Sequence, residues 1–330
     1  MDKSAQGDAV TTIVWGGTGF LGTHLAYQLL DQGDRPVVTT HERGYIDDRL
    51  REAIDHDDAA VEQVDLTSAH RVFEIVARHK PDGMIDASGY PPKALAPAEE
   101  VDRRITALTN LLEAGRVFDV RRITLTSSMD AYWGLPEDEM PFVEDAHVPL
   151  QEPEDNFIVQ SWVKKSLEVI ASLFIRQNGQ DIVTVRASGI YGPLYRTFLN
   201  LPSRLIAQAL HGDAAQLPAS DGTLPVAGDG YDLTYVKDIS RGIVMVHRAE
   251  SLKHRIYNIG SGRRVLHSEV VDAVREIFPT FEPVLPPAQA GPSGPYMSIE
   301  RASAELGYTP EFSIEAGVAD YADWLRQHDR

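Results

Sequence analysis

Gly16-Gly17-Thr18-Gly19-Phe20-Leu21-Gly22 is the stretch whose residue types and spacing bear most directly on chemistry. An apolar run from Thr11 to Trp15 precedes it, and leucines at 21, 25, 29 and 30 follow with helical spacing. A glycine-rich turn between a buried strand and a helix is a phosphate cradle. Gly16 permits the tight turn, Gly19 lets the backbone approach a pyrophosphate, and Gly22 lets helix and strand pack closely. The helix start offers N–H groups and partial positive charge to the anion. Gly16, Thr18, Gly19, Phe20, Leu21 and Gly22 are therefore assigned to a dinucleotide, NAD or NADP.

In folds of this kind that select NAD, the second strand ends in an acid that hydrogen-bonds the ribose 2′-hydroxyl. Counting on from Gly22 puts that end at Thr40, followed by His41, Glu42 and Arg43. No carboxylate stands at Thr40, and Arg43 offers a bidentate match to a 2′-phosphate. The reading leans to NADP, and Glu42 reverses it if the strand register slips by a residue or two.

Composition narrows the remaining classes. The 330 residues carry a net charge of −18 with no Lys/Arg cluster, which repels a nucleic-acid backbone. With no cysteine, disulfides, thiolate zinc sites and cysteine nucleophiles are excluded. The 11 histidines are scattered, without the helical pair of a zinc motif, so no metal is expected. Met1 to Ala9 is polar, and no apolar run approaches the roughly 20 residues of a bilayer span. The expectation is a cytoplasmic protein, without a membrane partner.

Short apolar runs alternate with amphipathic segments through the first half. Strands are read at 11–15, 36–40, 61–65, 83–86, 122–126 and 181–186. Helices are read at 20–32, 69–78, 101–117 and 157–176. Such alternation implies right-handed crossovers and a doubly wound parallel sheet, an α/β Rossmann fold. Beyond Gly192-Pro193 the pattern loosens around Pro and Gly clusters, with a strand at 256–259 and helices at 239–248, 269–278 and 314–327. We therefore expect a dinucleotide-binding domain over 1–192 and a smaller C-terminal α/β substrate lobe over 193–330, with segments crossing between them.

At this point the residues carry a family resemblance. Gly-Gly-Thr-Gly-Phe-Leu-Gly resembles the fingerprint of extended short-chain dehydrogenases/reductases, the NAD-dependent epimerase/dehydratase family of nucleotide-sugar enzymes. Asp65-Leu66, Thr126-Ser127-Ser128 with Tyr132, and Arg186 with Tyr191-Gly192-Pro193 are similar to further family motifs in the same order. So are Tyr235-Val236-Lys237-Asp238, Tyr257-Asn258-Ile259-Gly260 and Glu305-Leu306-Gly307-Tyr308 with Pro310. The resemblance implies adenine contacts from Asp65 and Leu66, cofactor contact from Ser88, and substrate contacts from Tyr90, Tyr132, Tyr191 and Asn200. It also implies a small-molecule substrate, a nucleotide sugar, and a homodimer through the helices at 101–117 and 157–176.

The resemblance also exposes a departure. Redox members pair a Tyr with a Lys four residues later, so that both share a helix face and the ammonium lowers the phenol's pKa. A Glu four residues after the Lys selects Lys164 and Glu168 here, which puts Gln160 at the Tyr position. The alternative alignment on Lys165 puts Ser161 there. Gln160 cannot act as an acid or base near neutral pH. Ser128 matches the strand-end hydroxyl, and Asp130 falls where sugar dehydratases carry a proton-abstracting acid. The catalytic candidates are thus Ser128, Asp130, Lys164 and Gln160, with Lys164 also on the cofactor ribose. Two rivals are a non-catalytic NAD(P)-binding regulator, favoured by the lost phenol, and a reductase of a non-sugar natural product.

Overall fold

The computed structural model describes residues 10–41, 45–91, 94–150, 159–195, 197, 199–211, 225–287 and 293–328. In chain order the first elements are β1 (Thr11–Trp15), α1 (Phe20–Asp31), β2 (Arg35–Thr40), α2 (Asp48–Asp55), β3 (Ala60–Gln63) and α3 (Ala69–His79). Next come β4 (Gly83–Asp86), α4 (Pro97–Val117), β5 (Arg122–Ser128), a 3-10 turn (Met129–Tyr132), α5 (Val159–Asn178) and β6 (Ile182–Ala187). The remainder comprises β7 (Gly189–Tyr191), α6 (Leu201–His211), β8 (Gly230–Tyr231), β9 (Leu233–Tyr235), α7 (Val236–Arg248) and β10 (Ile256–Ile259). β11 (Val265–Leu266), α8 (His267–Ile277), α9 (Glu300–Leu306) and α10 (Ile314–His328) complete the series.

Seven strands form a sheet ordered β3-β2-β1-β4-β5-β6-β10. Neighbouring strands run parallel, with Ile13 opposite Val37 on one side and Met84 on the other. Parallel strands covered on both faces are buried at nearly every position, as β1 and β4 are, with Ile13, Val14, Trp15, Met84 and Ile85 at their centres. The order reverses between β1 and β4, and the glycine loop leaves β1 there, at the place where open α/β sheets bind ligands. This is the Rossmann sheet expected from the alternation.

Contacts divide the chain into two units. The first comprises Met1–Ala131, Pro153–Val185 and Ile243–Tyr257. Its core gathers Ile13, Trp15, Val37 and Met84 with Leu108, Leu111 and Leu112 of α4 and Leu167 of α5. Those three α4 leucines are at most 1% exposed, each contributing about 1.5–3 kcal/mol by full burial. α4 starts four residues earlier than the sequence suggested, because Pro97 is tolerated in the first turn and Glu99 and Glu100 complement the helix dipole. α2, absent from the sequence reading, is capped by Asp47, whose side chain accepts from the Leu50 N–H at 2.8 Å.

The second unit comprises Tyr132–Glu152, Arg186–Gly242 and Asn258–Arg330. Here α6, α8 and α10 pack around Leu205, Ile206, Leu233, Val274, Val318 and Tyr321. β8 pairs antiparallel with β11, and β7 parallel with β9. Several family-like motifs prove to be structural ties. Asn258 donates to the carbonyls of Phe142 and Ser298 and accepts from the Tyr132 hydroxyl. Asp238 accepts from the N–H groups of Glu311 and Phe312, and the Tyr308 hydroxyl donates to the Gly260 carbonyl. No helix among the described residues is long and apolar enough to cross a membrane.

Candidate active site

α1 begins at Phe20 with Gly19 at its N-cap, no side-chain cap and no acid in its first turn. That start is available to an anion rather than to the protein's own groups. Gly16 N–H donates to Thr39 Oγ1 at 2.9 Å and Thr18 N–H to the Thr39 carbonyl at 3.3 Å, which ties the loop to β2. Gly16 has φ +74°, and a Cβ there would lie 2.7 Å from Ser88 Cα. A Cβ on Gly22 would lie 2.2 Å from the Gly16 carbonyl oxygen. Both positions require glycine. Beside this turn a cavity of about 220 Å³ is lined by Gly16, Thr18, Gly19, Thr40, Leu66 and Ser88, with His41, Tyr90, Arg103 and Arg104 on its wall. Glycine backbone, an uncapped helix start and flanking cations fit a dinucleotide pyrophosphate. Phe20, Leu21 and Gly22 supply the helix's first turn.

β2 ends at Thr40, so the counted register holds. Glu42 and Arg43 lie outside the described residues. Asp65 accepts from the Thr67 N–H and hydroxyl at 2.9 and 2.8 Å. Its other oxygen faces His41 Nε2 at 3.6 Å and Arg103 Nη1 at 3.5 Å. Burial opposes the Asp65 charge, but those partners outweigh it and hold the carboxyl below its ordinary range.

The end of β4 carries a buried ionic cluster. Asp86 Oδ1 accepts from the Ser88 N–H at 3.0 Å and hydroxyl at 2.5 Å. Arg104 of α4 donates to Ser88 Oγ at 2.5 Å and faces Asp86 Oδ2 at 3.6 Å. Asp86 and Arg104 are 1% and 4% exposed. Glu100, one turn earlier, is raised by burial, with Arg104 and Lys164 opposing. Arg104 was missed in the sequence, although it shares a helical face with Leu108 and Leu111, and a charge on an otherwise buried stripe needs a partner.

β5 delivers the candidate chemistry. Ser127 donates to Glu168 Oε1 at 2.5 Å, and Lys164 Nζ donates to the Thr126 carbonyl at 2.7 Å. Both α5 residues therefore turn toward the end of β5, whereas Lys165 lies beside the Trp162 ring. This orientation supports the alignment on Lys164. Gln160 sits one helical turn before Lys164 on the same face. Ser128 Oγ accepts from the Asp130 N–H at 3.2 Å. Burial, then the nearby Arg104 guanidinium, pushes Lys164 down to about 8.

The structure brings Ser128, Asp130, Gln160 and Lys164 to one sheet edge and Tyr90 to the cavity wall. It places three expected substrate residues in packing roles instead. Tyr132 is 1% exposed, stacks on Phe142, carries Arg186 over its ring and spends its hydroxyl on Asn258. Tyr191 is 1% exposed against Tyr235. Asn200 caps α6, accepting from the Ser203 N–H at 2.9 Å and donating to the Ile190 carbonyl at 3.0 Å. The polar atoms of Tyr132 and Asn200 are thus spent within the protein, and the Tyr191 ring is buried against its neighbour. Among the described residues, no group of three or more acids and histidines is placed to hold a metal ion.

Comparison with known proteins agrees with this geometry. The profile of the NAD dependent epimerase/dehydratase family matches residues 12–260. UDP-glucuronate 4-epimerase of Thermodesulfobacterium geofontis is 25% identical over 332 residues, covering 96% of each chain. Low-salt glycan biosynthesis protein Agl12 of Haloferax volcanii is 25% identical over 325 residues, covering 96% of this chain and 99% of its own. The crystal structure of UDP-glucuronic acid 4-epimerase from Bacillus cereus in complex with NAD superposes with a TM-score of 0.78 at 20% identity, covering 97% of this chain and 100% of the other. With its glycine cradle and strand-end serines in place, the chain belongs to the NAD-dependent epimerase/dehydratase family.

Proposed function

We propose that the protein is an NAD(P)-dependent enzyme acting on a nucleotide sugar or a related polar metabolite by epimerisation, dehydration or a similar reaction. The observation that carries this is the conjunction, in one unit, of the Gly16–Gly22 cradle with Ser128 and Lys164 at the end of β5. Similarity to UDP-sugar epimerases supports the substrate class. Bound dinucleotide supplies reversible hydride exchange. Ser128 polarises the reacting oxygen, Asp130 moves the proton on carbon beside a carbonyl, Lys164 holds the cofactor ribose, and Gln160 orients the substrate by hydrogen bonds. NADP is the proposed preference, since β2 ends in Thr40 with no carboxylate. Exposed Val169 and Leu173, one turn apart on α5, support self-association as a homodimer.

The test is incubation with UDP- and dTDP-hexoses and oxidised dinucleotide, with products resolved chromatographically. The proposal predicts conversion of at least one nucleotide sugar. Binding of dinucleotide with no conversion of any of them favours the regulatory reading instead, which rests on a glutamine that cannot titrate at position 160. Calorimetric titration with both dinucleotides tests the NADP preference, and tighter binding of NAD overturns it. Sedimentation velocity tests the dimer, and a single monomeric species overturns it.

A further inference from the structure

Position 160 leaves the substrate's hydroxyl proton without its usual carrier, and the neighbourhood of Lys164 is built in a way that bears on this. Lys164 Nζ has one hydrogen-bond partner among the described residues, the Thr126 carbonyl at 2.7 Å, and no ion pair among them. A half-buried ammonium ordinarily takes a carboxylate partner. Each acid near it is engaged elsewhere. Asp86 holds Ser88 through Oδ1 and faces Arg104 through Oδ2. Glu168 accepts from Ser127. Glu100, one turn before Arg104 on α4, is held toward its neutral form by burial, against Arg104 and Lys164. Asp86, then Asp130 in the turn after β5 and Glu168, favour the ammonium from a distance, without an ion pair to it among the described residues. Against it stand burial and a second cation, the Arg104 guanidinium, fixed by Ser88 and Asp86.

Resting on the function proposed above, we infer that Lys164, as its free amine, exchanges the substrate hydroxyl proton in place of a phenol, and that Arg104 is the positioning residue that keeps the Asp86 carboxylate from pairing with it. During oxidation of the substrate alcohol, the O–H bond breaks and an N–H bond forms on Nζ. The carbon becomes a carbonyl as its hydride leaves to the oxidised nicotinamide dinucleotide, the oxidant of the pair. On the return step Nζ gives the proton back to the oxygen. A lysine lowered to about 8 exists as both amine and ammonium near neutral pH, as a group that moves a proton in both directions requires.

The test reads Lys164 itself. Purified protein without added nucleotide is treated with acetic anhydride across pH 6 to 11, and acetylation of Lys164 is followed by peptide mass spectrometry. An inflection near pH 8 is expected for the wild type. Arg104→Gln releases Asp86 to pair with Lys164, so the inflection rises by about one unit and labelling at pH 8 slows about fivefold. Arg104→Lys restores the wild-type curve. Circular dichroism identifies a variant that has not folded, and Asp86→Asn then serves as the second probe: with no carboxylate to pair, its inflection does not rise. A wild-type inflection in the ordinary lysine range near 10.5, or one unmoved by Arg104→Gln, overturns the inference. Labelling as expected without turnover of any nucleotide sugar removes the parent reading alone. Turnover with an ordinary Lys164 removes this inference alone.

Discussion

Two ends of one sheet edge illustrate different kinds of recognition. Beside β1, the dinucleotide cradle is made of backbone: an uncapped helix start, Gly16 at φ +74° and Gly22 against the Gly16 carbonyl. Beside β5, the proposed chemistry rests on side chains: Ser128, Asp130, Gln160 and Lys164. A backbone site tolerates little, because any Cβ intrudes on it. A side-chain site keeps its fold while one residue is exchanged, which is the case proposed for Gln160. Binding and chemistry can therefore diverge within the same family frame, and the difference between the two ends is open to experiment.

The largest effect is expected at β5. Asp130→Asn keeps the shape and removes the titrating group, so turnover falls by about 100-fold or more. Dinucleotide affinity, measured calorimetrically, stays within about threefold because the cradle is untouched. Unchanged turnover removes Asp130 from the mechanism.

At β1 the expectation is reversed. Gly22→Val places a side chain where even a Cβ would lie 2.2 Å from the Gly16 oxygen. Overpacking of about 1–3 kcal/mol there weakens dinucleotide binding about 10- to 100-fold, read in the same titration. Retained affinity breaks the claim that this end is read by backbone.

A smaller effect separates loss of fold from loss of proton transfer. His247 is 2% exposed, with Nδ1 2.8 Å from Thr124 Oγ1 and Nε2 3.5 Å from Thr12 Oγ1. Burial, then Arg121, Arg122 and Arg248, pushes it down to about 3. The native state thus binds fewer protons than the unfolded state below about pH 6.5, and stability is lost as pH falls from there toward 3. At pH 5 the loss from this residue is about 2 kcal/mol relative to neutrality. Urea unfolding at both pH values, beside His247→Gln, checks this, and equal slopes with pH contradict it. Changes in turnover above pH 7 then report on Lys164 rather than on His247.

Legibility in the sequence follows the same division. The cradle could be read because glycine spacing after an apolar run states a backbone geometry directly. The alternation at 11–15, 20–32 and 83–86 placed the sheet correctly for the same reason: its periods are local. The buried stripe of α4 signals that Arg104 needs a partner, but not which one, because Asp86 and Ser88 meet it only when β4 and α4 pack together. Asn200 reads two ways in the sequence, because an amide before an apolar run serves equally as a ligand contact and a helix cap, and the fold shows the cap. Tyr132 and Tyr191 carry family motifs yet fill the core of the second unit. α2 escaped notice because Leu50 is its one buried residue, too little for an apolar stripe.

The most direct measurement is calorimetric titration of NADP and NAD into wild-type protein and Gln160→Leu. Saturable binding of one dinucleotide per chain, with affinity unchanged by the substitution, is the predicted result. Absence of binding in the wild type, or its loss with residue 160, would contradict a backbone cradle that stands apart from the altered chemistry.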